Sequence, residues 1–412
     1  MARTSTMLLR LKRLTGRFFT RRCLISIGLL LTIPTWVIYY TIRPNVIPHL
    51  STPLTVADAE QQLFLENRVE QNTTFVSSRQ IHIHFYNPPS YLKVNKMFST
   101  CPSNCSLTAG KVPDYYHKDV VVFWGSLLND DFPVKKRPGQ IWVYDEREPM
   151  VFYKYADNLH AWNGLFNWTM TYRRDSDILN IYGRFKKGPN QHLRMPNIAS
   201  KIRPLIDSNN SFRSLENFAS TAWFVSHCYS QSKRDVYVKL LNKTHPVDVY
   251  GACGTHKCTP KFSSKCHNLL SDHYKYYLSF ESSLGKDYIT EKSLSIYYNN
   301  IDFVPITRGY PDMYPLYLPP GSYIDTSRFQ DIDELGQFLN KLSQNPTGYR
   351  QYFQWRNYYH ADFDRFYGWC ELCKRLHMPD VNTKYQRVYR DFYNWKFGSS
   401  NLTTIKLPKD IS

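Results

Sequence analysis

Residues 274–292 read YKYYLSFESSLGKDYITEK and end on adjacent opposite charges, Glu291 and Lys292, where a helix should begin. The first turn of a helix favours acids and disfavours bases, because its unpaired backbone N–H groups leave that end positive. A lysine there calls for a partner more negative than the helix end is positive. A phosphate would meet the need: the N–H groups, the helix end and the Lys292 ammonium would all converge on it. Glu291 would then accept hydrogen bonds from sugar or ribose hydroxyls. The same pair could equally be a solvated ion pair on a helix surface, so the neighbouring elements have to decide.

YKYYLSFES reads as a strand. After the SLGKD loop, Leu294, Tyr297, Tyr298 and Ile301 recur on one helical face, and DFVPITRG is again a strand. A strand–loop–helix–strand unit of this size is a βαβ crossover. In an open parallel sheet, ligands bind at the carboxyl ends of strands, where helix N-termini point. Upstream, RQIHIHFY alternates as a strand does, and KDVVVFWG and GQIWVYDE are the continuous apolar runs of buried parallel strands. These three strands define a first α/β domain over 79–210. A second unit begins near SLENFASTAWFVSH, with SKRDVYVKLLNK helical and PVDVYG a strand closed by Gly251. The stretch 349–397 is aromatic and charged and is predicted helical.

The chain has 412 residues and a formal net charge of +18. Eight basic residues and no acid lie within 1–43, leaving about ten positive charges for the rest. That excess suits an anionic ligand such as a nucleotide; no basic run carries a nucleic-acid recognition motif. Residues 23–42, CLISIGLLLTIPTWVIYYTI, hold no charge and are long enough to span a bilayer. Trp36, Tyr39 and Tyr40 form an aromatic belt at one end, and seven of the eight basic residues precede the segment. The positive-inside rule places 1–22 in the cytosol and everything after Arg43 on the other side. A polar stem over 43–78 follows. Beyond the anchor the cysteines are even in number: Cys101, Cys105, Cys228, Cys253, Cys258, Cys266, Cys370 and Cys373. An even count outside the cytosol favours disulfides over zinc, with Cys370–Cys373 open as a local pair. Six glycosylation sequons lie there too, at Asn72, Asn104, Asn167, Asn209, Asn242 and Asn401, with Asn167 inside an aromatic run.

Taken together, YKYYLSFESSLGKDYITEK and the following VPITRG resemble the donor-binding signature of the α1,3-fucosyltransferases, Golgi enzymes that use GDP-fucose. LFNWTMTYRRDSDI with its YG resembles that family's second signature, and KRPGQIWV and VDVYG keep its order. The resemblance covers about residues 79–375. It implies an α/β fold of two facing Rossmann-like domains (GT-B-type) behind a single transmembrane helix and stem. The donor-binding domain would span 211–375 and a C-terminal helical extension 376–412. It also implies that Glu291 and Lys292 bind the donor with Tyr288, Ser282 and Arg234, and that Glu148 is the catalytic base, with Glu146 the fallback. Ser282 stands where the family has Asn, and Glu148-Pro149 where it has Glu-Ser-Pro. Those departures leave a rival open, a membrane-anchored glycan-binding protein on the same fold, along with transferases of other acceptor or donor choice. The resemblance implies that no metal or cofactor is required beyond GDP-fucose itself, with a stimulatory divalent cation such as manganese left open. The partners the resemblance implies are GDP-fucose, a glycan acceptor and the Golgi membrane, with nucleic acid not expected among them.

The charge asymmetry around 23–42 has a direct test. The chain from Pro44 onward, placed behind a cleavable signal, is expected to be secreted carrying N-glycans. A full-length protein in cells whose mass does not change on glycosidase treatment would reverse the orientation.

Overall fold

The computed structural model describes residues 79–398, apart from 91, 93, 95–96, 99–100, 102–103, 129–134, 150–155, 189–220, 261–262, 300–301, 311–312, 363–365 and 379–386. The expected tail, anchor and stem (1–78) lie outside the described residues, within which no helix is long and apolar enough to cross a membrane. The fold is α/β with two parallel sheets.

The first sheet has strand order β2-β1-β3-β4-β5-β6, built from β1 (Ile81–Phe85), β2 (Cys105–Ala109), β3 (Val120–Trp124), β4 (Ile141–Glu146), β5 (Trp168–Thr171) and β6 (Ile178–Leu179). Every neighbouring pair is parallel. All five residues of β3 are buried. Successive side chains point to opposite faces, so an unbroken apolar strand needs cover on both. Val120, Val122 and Trp124 pack with Phe85 and Trp369; Val121 and Phe123 pack with Trp142, Trp162 and Phe392. Three strands were expected here, and the structure adds β2, β5 and β6. The half-exposed CSLTA of β2 lacks an apolar run, and β5 and β6 are too short to give a periodic signal.

A two-stranded antiparallel ribbon joins β7 (Arg184–Lys187) to β13 (Tyr359–Asp362). The second sheet has order β12-β11-β10-β8-β9, from β8 (Thr221–Phe224), β9 (Val247–Tyr250), β10 (Tyr276–Phe280), β11 (Val304–Arg308) and β12 (Ile324–Asp325). The helices are α1 (Arg234–Leu241), α2 (Ser264–His273), α3 (Glu291–Tyr298), α4 (Ile332–Ser343), α5 (Pro346–Gln351), α6 (Tyr367–Leu376) and α7 (Phe392–Phe397).

Two expectations at the C-terminal end need correction. The stretch 349–397 is not helical throughout, because β13 interrupts it and Asp362 there pairs with Arg184 and Lys186 at 2.6 and 2.9 Å. Residues up to 375 were assigned to the second unit, yet α6 buries Trp369, Leu372 and Leu376 in the core of the first sheet.

The disulfides explain that return. Cys101 is joined to Cys370 and Cys105 to Cys373, so the CxxC does not close on itself; its cysteines tie α6 to the first sheet. Cys228–Cys253 and Cys258–Cys266 are local to the second unit. Asn167 is only 8% exposed and is hydrogen-bonded through both its amide oxygen and its amide nitrogen. Its Oδ1 accepts from the Trp142 amide (2.8 Å) and Lys136 Nζ (2.6 Å), and its Nδ2 donates to the Arg387 carbonyl (3.2 Å). Asn104 and Asn242 are exposed.

A non-reducing peptide map of the folded protein is expected to yield the four linked pairs above, with Asn167 unmodified. Closing the long loop by the first of the two long cross-links contributes about 5–6 kcal/mol in the loop-entropy account, and opening either one alone costs less, because the other still closes that loop. A peptide linked Cys370 to Cys373, or a glycan on Asn167, would overturn this arrangement.

Candidate active site

In the second sheet the chain passes from β8 to β9 on one side and resumes at β10 on the other. Loops leaving the carboxyl ends of β8 and β10 therefore part from each other, and open parallel sheets bind ligands at such a point. The two loops are braced together. Ser232 Oγ donates to the Glu281 carbonyl (2.7 Å), the Ser232 amide to the Ser282 carbonyl (3.1 Å), and the Leu284 amide to Gln231 Oε1 (3.0 Å). Arg234, the first residue of α1, is buried beneath them. Its Nη1 donates to the Phe280 carbonyl (2.9 Å) and its Nη2 to the His227 carbonyl (3.2 Å). Arg308, at the end of β11, donates to the Ser232 carbonyl (2.8 Å) and lies 4.8 Å over the Tyr237 ring. Burial lowers the pKa of both guanidiniums, that of Arg308 to about 10.

The acid–base pair opens α3 as the sequence implied. Thr290 is the N-cap, its hydroxyl accepting from the Lys292 amide. Lys292 Nζ folds back over this end, 3.0 Å from Thr290 Oγ1 and 3.1 Å from Glu291 Oε1. Beneath lies Glu281, fully buried, 3.5 Å from the ammonium. Its two oxygens accept from the Thr290 amide (2.9 Å) and hydroxyl (2.8 Å). Burial raises the Glu281 pKa, opposed by Lys292. Burial alone would lower that of Lys292, but Glu281 and Glu291 hold it above the ordinary lysine value. The protein thus supplies its own negative partner for the lysine. Glu281 is a residue the sequence reading missed, although a carboxylate at the end of a buried strand was the available signal.

The first sheet contributes the other half. β4 ends on Glu146, 1% exposed, whose Oε1 accepts from the main-chain N–H of both Arg147 and Glu148 (2.8 Å each) and whose Oε2 accepts from Ser126 Oγ (2.6 Å). Glu146 shapes the turn; Glu148 is what the turn presents. Glu148 Oε1 accepts from the Tyr182 hydroxyl (3.2 Å), and its Oε2 accepts from the Tyr288 hydroxyl (2.9 Å). The Tyr288 phenol is hydrogen-bonded to Ser282 as well, and burial raises its pKa, so it stays protonated and able to donate. The Tyr182 ring carries the Arg147 guanidinium 4.4 Å from its centroid. Residues 140 positions apart therefore meet directly.

Of the residues the sequence singled out, Glu148, Ser282 and Tyr288 form one connected group, and Glu291 and Lys292 open the helix of the same loop. Arg234 lies below, holding loop carbonyls. Tyr182, Arg308 and Glu281 complete the arrangement. Ser176 and Asp177 of RRDSDI have structural partners: Asp177 accepts from the Thr169 amide (2.8 Å) and the Tyr389 hydroxyl (2.8 Å) and pairs with Arg387. Among the described residues, the one grouping of metal-ligand types, Cys105, Cys373 and His377, has its cysteines joined as a disulfide.

Residues 78–183 match the profile described as fucosyltransferase, N-terminal, and residues 216–395 the profile described as glycosyltransferase family 10 (fucosyltransferase), C-terminal. The chain belongs to glycosyltransferase family 10. It is 35% identical over 387 residues to glycoprotein 3-alpha-L-fucosyltransferase A of Drosophila melanogaster, covering 89% of this chain and 71% of that one. It is 35% identical over 274 residues to alpha-(1,3)-fucosyltransferase C of the same organism, covering 66% of this chain and 62% of the relative. The match thus spans about three fifths of that relative's length. A solved alpha1,3-fucosyltransferase with GDP-fucose aligns at a TM-score of 0.48 and 16% identity, over 81% of this chain and 99% of that one.

This family-10 chain holds a titratable group behind its candidate base. Asp145, on the opposite face of β4 from Glu146, is fully buried, with Asn180 Nδ2 donating to Oδ1 (2.7 Å) and Oδ2 unpartnered. Burial pushes its pKa up to about 8. A carboxyl raised in the folded state contributes stability that is fully present below about pH 4 and lost as pH rises through about 8. Asp145→Asn, which cannot ionise, is expected to unfold like wild type at about pH 3.5, to gain on it progressively between about pH 4 and 8, and to be more stable at pH 9 by a few kcal/mol, of order 1.4 kcal/mol per pKa unit. Denaturant unfolding at the two extremes checks it; an unchanged pH slope would show that Asp145 does not titrate in this range.

Proposed function

We propose that the protein transfers L-fucose from GDP-fucose to a GlcNAc of N-glycans or related chains, forming an α1,3 bond with inversion. The observation that carries this reading is the 2.9 Å hydrogen bond from Tyr288, on the loop that opens α3, to Glu148, at the end of β4. It puts a carboxylate from one sheet beside the phosphate-suited end of a helix from the other. Glu148 would accept the proton of the acceptor hydroxyl as that oxygen bonds to the anomeric carbon, while the bond from that carbon to the diphosphate breaks. Lys292 and the α3 N-terminus would stabilise the departing charge. GDP leaves as an anion, so no separate acid is needed. Tyr182 and Tyr288 hold the Glu148 carboxylate in place, and Glu146 fixes the turn it stands on.

The reading includes two facing Rossmann-like domains of the GT-B type, with acceptor side 79–210 rejoined by α6 and a donor side that runs from 211 up to α6. It includes a single-pass type II Golgi membrane protein with its catalytic part in the lumen, and a divalent cation such as manganese as an accessory rather than a requirement. It is supported by family membership, by the parallel sheets, by the charge pattern around 23–42 and by four disulfides.

Turnover of GDP-fucose against a panel of defined GlcNAc acceptors, with linkage analysis of the product, tests it. Glu148→Gln keeps size and hydrogen bonding but cannot take a proton; loss of a general base costs about 10²–10⁴ in rate. Transfer is expected to fall to that degree with GDP affinity near wild type. Glu146→Gln retains the Oε1 acceptor that caps the turn and is expected to keep most activity. The reverse pattern would move the base to Glu146, and full activity in the double variant would remove both.

A further inference from the structure

RRDSDI places two arginines after β5, and Arg174 reaches into the donor loop. Arg174 Nε lies 2.6 Å from Asp287 Oδ1, and its own main-chain N–H donates to Asp287 Oδ2 (3.2 Å), so one residue engages both carboxylate oxygens. The Tyr317 hydroxyl adds a third donor to Oδ1 (3.1 Å). Asp287 is 5% exposed and stands at φ 66°, a left-handed conformation that aspartate tolerates better than most residues. The next residue is Tyr288. Its ring meets that of Tyr172 edge-on at 5.3 Å, two residues before Arg174. The segment 172–174 thus grips 287–288 twice, once by charge and once by ring contact.

We propose that Arg174 is a positioning residue for transfer: its ion pair with Asp287 latches the loop bearing Tyr288 onto the sheet bearing Glu148, and so sets the contact between them. The proposal rests on Glu148 being the base. A latch of this kind differs from general packing in what it controls. Lys292 is anchored separately, by Glu281 and Thr290 on the other side of the loop. Loosening Asp287 therefore displaces Tyr288 from Glu148 while leaving the helix end that holds the donor in place.

The test uses the full chain carrying Arg174→Ala, Asp287→Asn, both together, or Arg174→Lys. Asp287→Asn keeps the shape and the tolerated φ while removing the charge, which keeps the test open if Arg174→Ala does not fold. Each single variant is expected to lower kcat by about ten- to a hundredfold, with KM for GDP-fucose within about threefold of wild type, as for an Ångström-scale misplacement of a reacting group. The double variant should be no slower than the slower single one, and Arg174→Lys should recover part of the loss. Amide exchange across 284–290 should quicken in both single variants, with calorimetric affinity for GDP retained. Wild-type kcat and exchange in both, losses that multiply in the double, or a rise in KM without a fall in kcat would each overturn the latch. If the unsubstituted chain turns over no GDP-fucose with any acceptor, the reading of the activity fails, and the exchange measurement alone decides whether 174 and 287 hold the loop.

Discussion

The hydrogen bond from Tyr288 to Glu148 is the link on which the candidate site depends, because it joins what two separate sheets present. Neither partner lies inside a strand. Glu148 stands two residues past β4 on a turn whose N–H groups are held by Glu146, and Tyr288 stands on a loop whose far end is capped by Thr290. A contact between two loops has little precision of its own. Here each loop is fixed by buried polar groups bonded to its own backbone, so the aim of a flexible segment is set by rigid strand ends. The same pattern recurs where Tyr298 donates to the Tyr182 carbonyl (2.9 Å). Gly183 next to it has no side chain to interfere; a Cβ there would stand 3.0 Å from the Tyr298 ring.

Glu281 shows why a lysine tolerates the start of a helix. The end of α3 is positive, and Lys292 adds a full charge to it. A buried carboxylate at 3.5 Å offsets both, and the same oxygens bond the N-cap residue. A buried pair is worth little as a source of stability, since desolvation consumes most of the attraction. Its value lies in placement. With Glu281 beneath and Glu291 beside it, the ammonium is held at the helix end instead of ranging through solvent, and a quarter of the side chain stays exposed toward whatever binds there.

What the sequence made legible follows from the range of the signal. The long apolar strands β3 and β4, the βαβ unit around α3 and the helix at Arg234 all announce themselves within a dozen residues, and each was read at nearly its observed position. The motif resemblance picked out Glu148, Tyr288, Glu291 and Lys292, which the structure gathers. What was not legible is long-range. Nothing in CxxC spacing says that Cys370 and Cys373 each seek a cysteine near residue 100. Nothing in FESS says that its glutamate is counter-charge to a lysine eleven positions on. Arg234 was read as a donor contact; its guanidinium also holds the carbonyls of Phe280 and His227, because a short loop crossing a strand end leaves acceptors that a buried donor satisfies.

The same long-range character constrains how the first sheet can exist at all. One face of β3 is closed by Trp369 and Leu372 of α6, the other by Phe392 of α7, residues that follow the whole of the second sheet in sequence. Without them Val120 and Val122 on one face and Phe123 on the other would lose part of their cover, although Phe85, Trp142, Trp162 and Phe166 would remain, and apolar parallel strands need burial on both faces. Residues 79–188 therefore carry a complete sheet whose cover comes in part from the end of the chain. Closure must await the last part of the chain, across separations of 268 and 269 residues for the two cross-links. Such non-local contacts are entropically costly to form. Once made, the cross-links tie the element that follows the second sheet to the first, and the two strand ends that meet at Tyr288 and Glu148 stay within reach of each other.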